Sequence, residues 1–399
     1  MKKLMILGGL RYALPVIREA HDLGLYVITA DYLPDNIAHQ YSDEFCNVSI
    51  VDREATLQAA QEKKIDGVIS FACDPGVVTA AYVAEKMGLP SAGSYEAVSL
   101  LQNKSRFRKF LAENGFHVPM AKGYTDPDLA LKDTELFHWP VIVKPTDSAG
   151  SKGVSRVNHP DKLREAIEYA LRFSRKREFI VEDFIQQKGF SSDTDSFSVD
   201  GELKFVSFNS QRFDPRADNP YTPAAYSWPS SMSEKHQEEL ASEIQRLIKL
   251  LGLGTSIYNI ETREGIDGNA YIMECSPRGG GNRLAECLEH ATGVKLIQNA
   301  VRAAMGMPII GIEQKPYNGY WAEVILHSDK EGMYQELSFS ESIREYVVES
   351  DVWIRPGDRV GAFSAANQAI GTVILRFHDQ GTMNTLMESM DEHIKVIVL

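Results

Sequence analysis

"YIMECSPRGGGNR" (residues 271–283) begins as an apolar strand, takes in one acid at Glu274, and then gives way to Pro277, Arg278 and three glycines. An apolar run is a costly place for a carboxylate, because burial disfavours the charged form. The stretch has a partner upstream: "SIYNIETR" (256–263) carries Glu261, and the intervening "EGIDGN" carries the hairpin signal Asp267–Gly268. The pattern predicts two antiparallel strands that set Glu261 against Glu274. Facing carboxylates raise each other's pKa unless a cation lies between them. Mg2+ is a hard cation that binds one or two carboxylates together with phosphate oxygens. The rival reading is two acids on a solvated strand face, which the "YIM" before Glu274 disfavours. Arg278 offers planar, permanently charged donors to phosphate oxygens or a developing oxyanion. Glycines 279–281 would admit a ligand, and the helix after Asn282 would aim its N-terminus at an anion.

Other stretches fit an anionic ligand. In "VIVKPTDSAGSKGV" (141–154) a strand delivers Lys144, and seven small, polar or glycine-type residues (147–153) turn the chain back. Backbone N–H groups in such a loop can approach an anion, with Lys144 and Lys152 supplying charge. The P-loop pattern GxxxxGK[ST] is absent, so the loop reads as a hairpin that closes over phosphates as a lid; a solvated surface hairpin is the alternative. "EFIVEDFI" (178–185) ends a buried strand at Glu182 and presents the backbone of Asp183 to Ile185 to a flat heterocycle. Taken alone, an ordinary satisfied strand end explains it as well. "NKSRFRKFLAENGFHVP" (103–119) reads as a helix stopped by Gly115, with Pro119 beyond.

The first 95 or so residues alternate β-branched runs with helical patterns, which predicts a parallel sheet and right-handed crossovers. Ligands bind beyond the carboxyl ends of such strands, where Gly8–Gly9, Asp31 and "ACDPG" (72–76) fall. No GxGxxG follows the first strand, which disfavours a dinucleotide oxidoreductase. After about residue 311 the runs "GYWAEVIL", "EYVVES", "AIGTVILRF" and "IKVIVL" predict a β-rich region. The whole is expected to be α/β, in two or three domains at 399 residues.

Composition narrows the partners. Lys and Arg number 42 against 55 Asp and Glu, a net −13 that argues against a nucleic-acid binder. No run approaches the ~20 apolar residues of a membrane span. "MKKLMILGGLRY" resembles a signal peptide in its first residues, but Arg11 ends the apolar stretch and no small-residue cleavage site follows. Cys46, Cys73, Cys275 and Cys287 form no CxxC pair and read as reduced residues, which suits the cytoplasm. The ten histidines show no metal-binding spacing.

These motifs, in this order, resemble the ATP-grasp superfamily of carboxylate–amine ligases, over nearly the whole chain. The resemblance implies a pre-ATP-grasp domain (1–95), a two-part ATP-grasp domain (96–310, its lid subdomain about 125–207) and a β-rich C-terminal domain (311–399). It implies ATP with Mg2+ or Mn2+. Lys104 and Lys144 would hold phosphates under a lid of Ser148, Ala149, Gly150, Ser151 and Gly153. Glu182, Asp183, Phe184 and Ile185 would clasp adenine. Glu261 and Glu274 would hold the metal, with Ser276 where the family has an asparagine. Asp193 stands in for a ribose-binding glutamate that the sequence lacks. Arg278, Lys144 and Arg212 would act on the reacting groups. The implied reaction phosphorylates a small-molecule carboxylate and joins the acylphosphate to an amine, releasing ADP and phosphate. Two readings rival it: a purine-synthesis type of ATP-grasp enzyme, similar to phosphoribosylamine–glycine ligases or bicarbonate-using enzymes, and a nucleotide-binding module without chemistry. A homodimer, with no nucleic-acid or membrane partner, is the family expectation.

Overall fold

The computed structural model describes every residue of the chain except Ala149. Strands β1 (Lys3–Leu7), β2 (Tyr26–Asp31), β3 (Glu44–Asn47) and β4 (Gly67–Ile69) form a parallel sheet in the order β3-β2-β1-β4. Uninterrupted apolar runs suit strands covered on both faces, and Leu4, Met5, Ile6 and Leu7 are fully buried. Helices Leu14–Asp22, Arg53–Lys63 and Asp74–Met87 follow its strands. At the carboxyl ends, Asp31 accepts a 2.8 Å hydrogen bond from the Gly9 backbone, which shapes the first loop.

A second, antiparallel sheet has the order β5-β8-β6-β7. It comprises β5 (Ala121–Tyr124), β6 (Val141–Pro145), β7 (Ser155–Val157) and β8 (Phe179–Asp183). Its apolar face, with Val141, Val143, Phe179 and Val181, packs on Leu163, Ile167 and Ala170 of the helix Leu163–Arg172. The β6–β7 hairpin carries the small-residue loop over the site described below.

The next strands in the chain are β9 (Ser192–Val199), β10 (Glu202–Phe205), β11 (Ser210–Phe213), β12 (Pro223–Trp228), β13 (Ser256–Glu264) and β14 (Ala270–Ser276). Four of them make a sheet ordered β10-β9-β13-β14. The turn from β9 to β10 puts Asp200 at φ 50° and Gly201 at φ 78°, the paired positive angles that match the right-handed twist of a two-residue hairpin. Ile260 and Ile272 cluster with Leu240, Ile244, Leu247 and Ile248 of the helix Glu234–Leu250.

The C-terminal region adds β15 (Tyr320–Leu326), β16 (Gly332–Phe339), β17 (Val347–Val352), β18 (Arg359–Val360), β19 (Gly371–Phe377) and β20 (Ile394–Val398). It is β-rich as expected, with a helix, Gln380–Glu388, whose Met383 and Met387 enter the local core. Strands β11 and β12 leave the middle of the chain and join this region in a sheet ordered β11-β12-β15-β19-β17. Tyr226 lies opposite Glu323 and Trp228 opposite Trp321. The architecture is mixed α/β, and among the described residues no helix is long and apolar enough to cross a membrane. All four cysteines are free.

Candidate active site

Strands β9, β13 and β14 lie side by side, so residues two apart share a face. Their register aligns two rows on it: Asp193, Glu261 and Glu274 in one, and Asp195, Asn259 and Ser276 in the next. The hairpin at Asp267–Gly268 thus brings Glu261 and Glu274 together, as the spacing predicted.

Glu274 Oε1 lies 3.0 Å from Lys104 Nζ and 3.9 Å from Lys144 Nζ. Burial alone would raise the Glu274 carboxyl, but the two lysines hold it below its ordinary value. Lys104, on the first turn of the helix Lys104–Glu113, is raised despite its burial because Glu274 favours its charge. Lys144, at the end of β6, is also 2.6 Å from Glu182 Oε1. The other Glu182 oxygen accepts a 3.1 Å bond from Arg108 Nε, and Arg108 Nη1 donates to the Met273 carbonyl at 2.6 Å. Burial pushes Glu182 up, yet Lys144 and Arg108 overcome it and hold it at about 2. Positive and negative charges therefore alternate from Arg108 through Glu182, Lys144 and Glu274 to Lys104.

Among the described residues no three His, Cys, Asp or Glu side chains converge closely enough to enclose a metal ion by themselves. Glu274 beside two lysines, with Glu261 opposite it on β13 and paired to Arg263 Nη2 at 2.8 Å, is instead a fit donor set for a hard cation that takes the rest of its shell from phosphate oxygens and water. Ser276 is committed elsewhere: its hydroxyl accepts from Gln102 Nε2 at 2.7 Å and donates to Asp74 Oδ1 at 3.2 Å.

Asp183 and Phe184, at and just beyond the end of β8, have their own partners. Asp183 accepts from His138 through its backbone N–H at 2.9 Å and its Nδ1 at 2.8 Å. The Phe184 N–H donates to the Pro140 carbonyl, and Arg156 lies 4.4 Å over the Phe184 ring. Ile185 continues the chain beside them. In the loop between β6 and β7, the Ser148 carbonyl accepts from Lys104 Nζ at 3.2 Å. Ser151 Oγ donates to the Tyr221 carbonyl at 2.8 Å, and Asn219 Nδ2 donates to the Ser151 carbonyl at 3.0 Å. Gly150 and Gly153 take φ of 67° and 74°, and a Cβ on Gly153 would come within 2.9 Å of Phe173. Ala149 lies outside the described residues.

Arg278 is held on three sides. Its Nε and Nη2 donate to the two oxygens of Asp74, each at 2.9 Å. Its Nη1 donates to Asn259 Oδ1 at 2.8 Å and to the Gly279 carbonyl at 3.0 Å. The glycines serve packing more than access: a Cβ on Gly279 would sit 2.2 Å from the Phe71 ring, and one on Gly280 would sit 2.5 Å from Leu284. Only Gly281 of the three faces open space. Buried acids tie the same loop down. Asp195 Oδ1 accepts from the Gly280 N–H and Glu323 Oε1 from the Arg283 N–H, both at 2.8 Å. Burial pushes Asp195 up to about 7 and Glu323 up to about 8. Asp193 also rises to about 7, through burial and then its neighbour Glu261.

The structure thus gathers Lys104, Lys144, Glu261, Glu274, Ser276 and Arg278 about one face of the sheet formed by β9, β13 and β14, with Asp193 in the carboxylate row beside Glu261. Arg212 stands apart on β11. Its Nη1 donates to the Ser210 carbonyl at 3.1 Å and to Ser227 Oγ at 2.6 Å, and the guanidinium lies 4.4 Å over Phe190. Sequence reasoning missed Arg108, Asn259, Asp195, Glu323 and the role of Asp74. Arg108 had a usable signal, since it follows Lys104 by one helical turn and so shares its face. Asp74 had another, at the carboxyl end of a parallel strand.

An ATP-grasp domain family matches residues 137–286. The chain is 26% identical to a formate-dependent phosphoribosylglycinamide formyltransferase of Bacteroides thetaiotaomicron, covering 94% of this chain and 93% of that one. Its fold is similar to that of an L-amino acid ligase from Bacillus licheniformis, with TM-score 0.81, 20% identity and coverage of 100% and 99%. It is similar also to the biotin carboxylase domain dimer of Hydrogenobacter thermophilus 2-oxoglutarate carboxylase, described with MgADP and bicarbonate (TM-score 0.76, 16% identity, coverage 100% and 91%). At such identities the two structures speak to the fold alone. The sequence match covers both β6 with the loop that follows it and the β13–β14 carboxylate pair, and this chain carries an ATP-grasp domain.

Proposed function

We propose that the chain is an ATP-dependent ligase that joins a carboxylate to an amine through an acylphosphate, releasing ADP and phosphate. One observation carries the reading: Lys104, Lys144, Glu261 and Glu274 converge beneath a small-residue loop, with Arg278 on the same face. Two lysines at a carboxylate pair are a receptor for a polyphosphate and its cation rather than for either alone.

In this reading the backbone of residues 183–185 takes adenine, and Lys104 and Lys144 hold phosphate oxygens. Glu261 and Glu274 would hold Mg2+, which when bound neutralises charge on the phosphates. The Glu182–Arg108 pair fixes Lys144, so little reorganisation accompanies phosphoryl transfer. Arg278 steadies charge on the transferring group and on the tetrahedral carbon that follows. The lid excludes water from the acylphosphate. Asp193 lies with the carboxylate row, so ribose contacts would come from the residues that follow β8. The names of the similar proteins include formate, amino acid and bicarbonate, each offering a carboxylate-type oxygen to a phosphoryl group. A homodimer belongs to the same proposal, and sedimentation of the purified protein tests it.

Hydroxylamine trapping tests the reaction. MgATP, hydroxylamine and a panel containing formate, bicarbonate and α-amino acids should yield ADP, with a hydroxamate from at least one of the organic acids. AMP in place of ADP would overturn the acylphosphate. Binding of ATP with neither nucleotide product across the panel would favour a module without chemistry.

A further inference from the structure

We propose that Asp74 is a positioning residue for phosphoryl transfer, acting through Arg278; this rests on the ATP-grasp reading of the cleft given above. A guanidinium has five N–H donors in a fixed plane. Four of Arg278's are spoken for: Nε by Asp74 Oδ1, one on Nη2 by Asp74 Oδ2, and both on Nη1 by Asn259 Oδ1 and the Gly279 carbonyl. Among the described residues a single N–H, on Nη2, is left without a partner and remains for a ligand. Asp74 therefore decides where that donor points, because a bidentate carboxylate fixes both the position and the plane of the guanidinium.

Asp74 belongs to the parallel-sheet region, on the first turn of the helix Asp74–Met87, while Arg278 follows β14. The junction is built with care. Ser276 and Gln102 relay a second hydrogen bond to Asp74 Oδ1. Two residues before Asp74, Ala72 takes φ 51°, an uncommon left-handed conformation for a residue with a Cβ. Its N–H donates to the Gly279 carbonyl at 3.1 Å, the same carbonyl that Arg278 Nη1 uses. Strain held at such a point accompanies a geometric demand, and the demand here is the placement of one cation. Burial opposes the charge on Arg278, and Asp74 is the largest influence restoring it.

The test is binding of MgADP with and without aluminium fluoride, which mimics a transferring phosphoryl group and needs no knowledge of the acid. In the parent, aluminium fluoride should tighten MgADP. Asp74→Asn should lose about 10- to 100-fold of that tightening, the worth of a charged hydrogen-bond partner, and leave MgADP alone within about twofold. A second arm uses Arg278→Ala: added guanidinium should restore the tightening when Asp74 is present and fail to do so in Arg278→Ala with Asp74→Asn. Unchanged tightening in Asp74→Asn overturns the role. So does equal weakening of MgADP alone, which marks a general structural part, and so does rescue that ignores Asp74. A parent that binds MgADP without fluoride-dependent tightening overturns the part given to Arg278. A parent that does not bind MgADP sinks the ATP-grasp reading itself, a separate and recognisable failure.

Discussion

Two carboxylates on one charge chain have opposite worth. The Glu182 side chain is 3% exposed and neutralises two cations, Lys144 and Arg108. Removing one partner of a buried pair leaves the others uncompensated. Glu182→Gln should therefore cost about 3–5 kcal/mol of stability, read by denaturant unfolding. The Glu274 side chain is 42% exposed. Glu274→Gln should cost less stability than Glu182→Gln, because water screens its half-exposed carboxylate, and should remove the Mg2+-dependent part of nucleotide binding, seen by titration with and without the ion. Arg278→Ala should abolish product while nucleotide affinity stays close to the parent's; retained turnover would refute its role. Glu323 should show in pH dependence. Burial raises it from 4.5 to about 8, against Arg283 and alongside Glu286 and Asp195. Between those values the folded state binds a proton that the unfolded chain has lost, so stability falls as pH rises through the window. Glu323→Gln should flatten the fall of Tm between about pH 4.5 and 8, and a curve identical to the parent's would show that Glu323 is not the group. None of these partnerships was legible in the sequence. Glu182 meets Arg108 from 74 residues away, and Arg278 meets Asp74 from 204, so their types were visible while their pairing depended on the fold.

At the scale of elements, the loop between β6 and β7 is tied down by residues outside its own sheet. Ser151 exchanges hydrogen bonds with Asn219 and Tyr221, in the connection between β11 and β12. Asn219→Ala should loosen the closed lid and admit water, so ADP formed per product rises severalfold at a similar affinity for MgATP. Quantifying ADP and product in one reaction checks this; a ratio equal to the parent's would exclude a latch. The hairpins themselves were legible. Asp200–Gly201 and Asp267–Gly268 signal tight turns locally, and the alternation beside them sets which residues share a face. The carboxylate row of Glu261 and Glu274 follows from that local code, and its extension to Asp193 needed the non-local pairing of β9 with β13. The β6–β7 hairpin was legible for the same reason, while the ties of its loop were not, because nothing near Ser151 in sequence names Asn219.

Across the whole molecule, the parallel sheet could be read as one run of chain, but the C-terminal sheet could not. Strand β12, with β11 on its other edge, pairs with β15, on the far side of the helix Glu234–Leu250 and the β13–β14 hairpin. A β12 run such as "PAAYSW" shows only that it is a strand, since a strand's partner is chosen by the fold. Truncation before Tyr320 should leave Tyr226 and Trp228, both fully buried, at a bare sheet edge. Such a chain should bind a hydrophobic dye and aggregate, whereas removing only β20 should leave the β12 edge covered. The same pairing sets a clock on synthesis. Trp228 meets Trp321, 93 residues later (321 − 228), and at 5–20 residues per second the β11–β12 hairpin waits about 5–19 s for its neighbour. During that interval two large aromatic side chains and the strand beside Arg212 stand open to whatever else is near the ribosome, so slow codons between residues 229 and 320 should lower the yield of folded protein without changing a single amino acid.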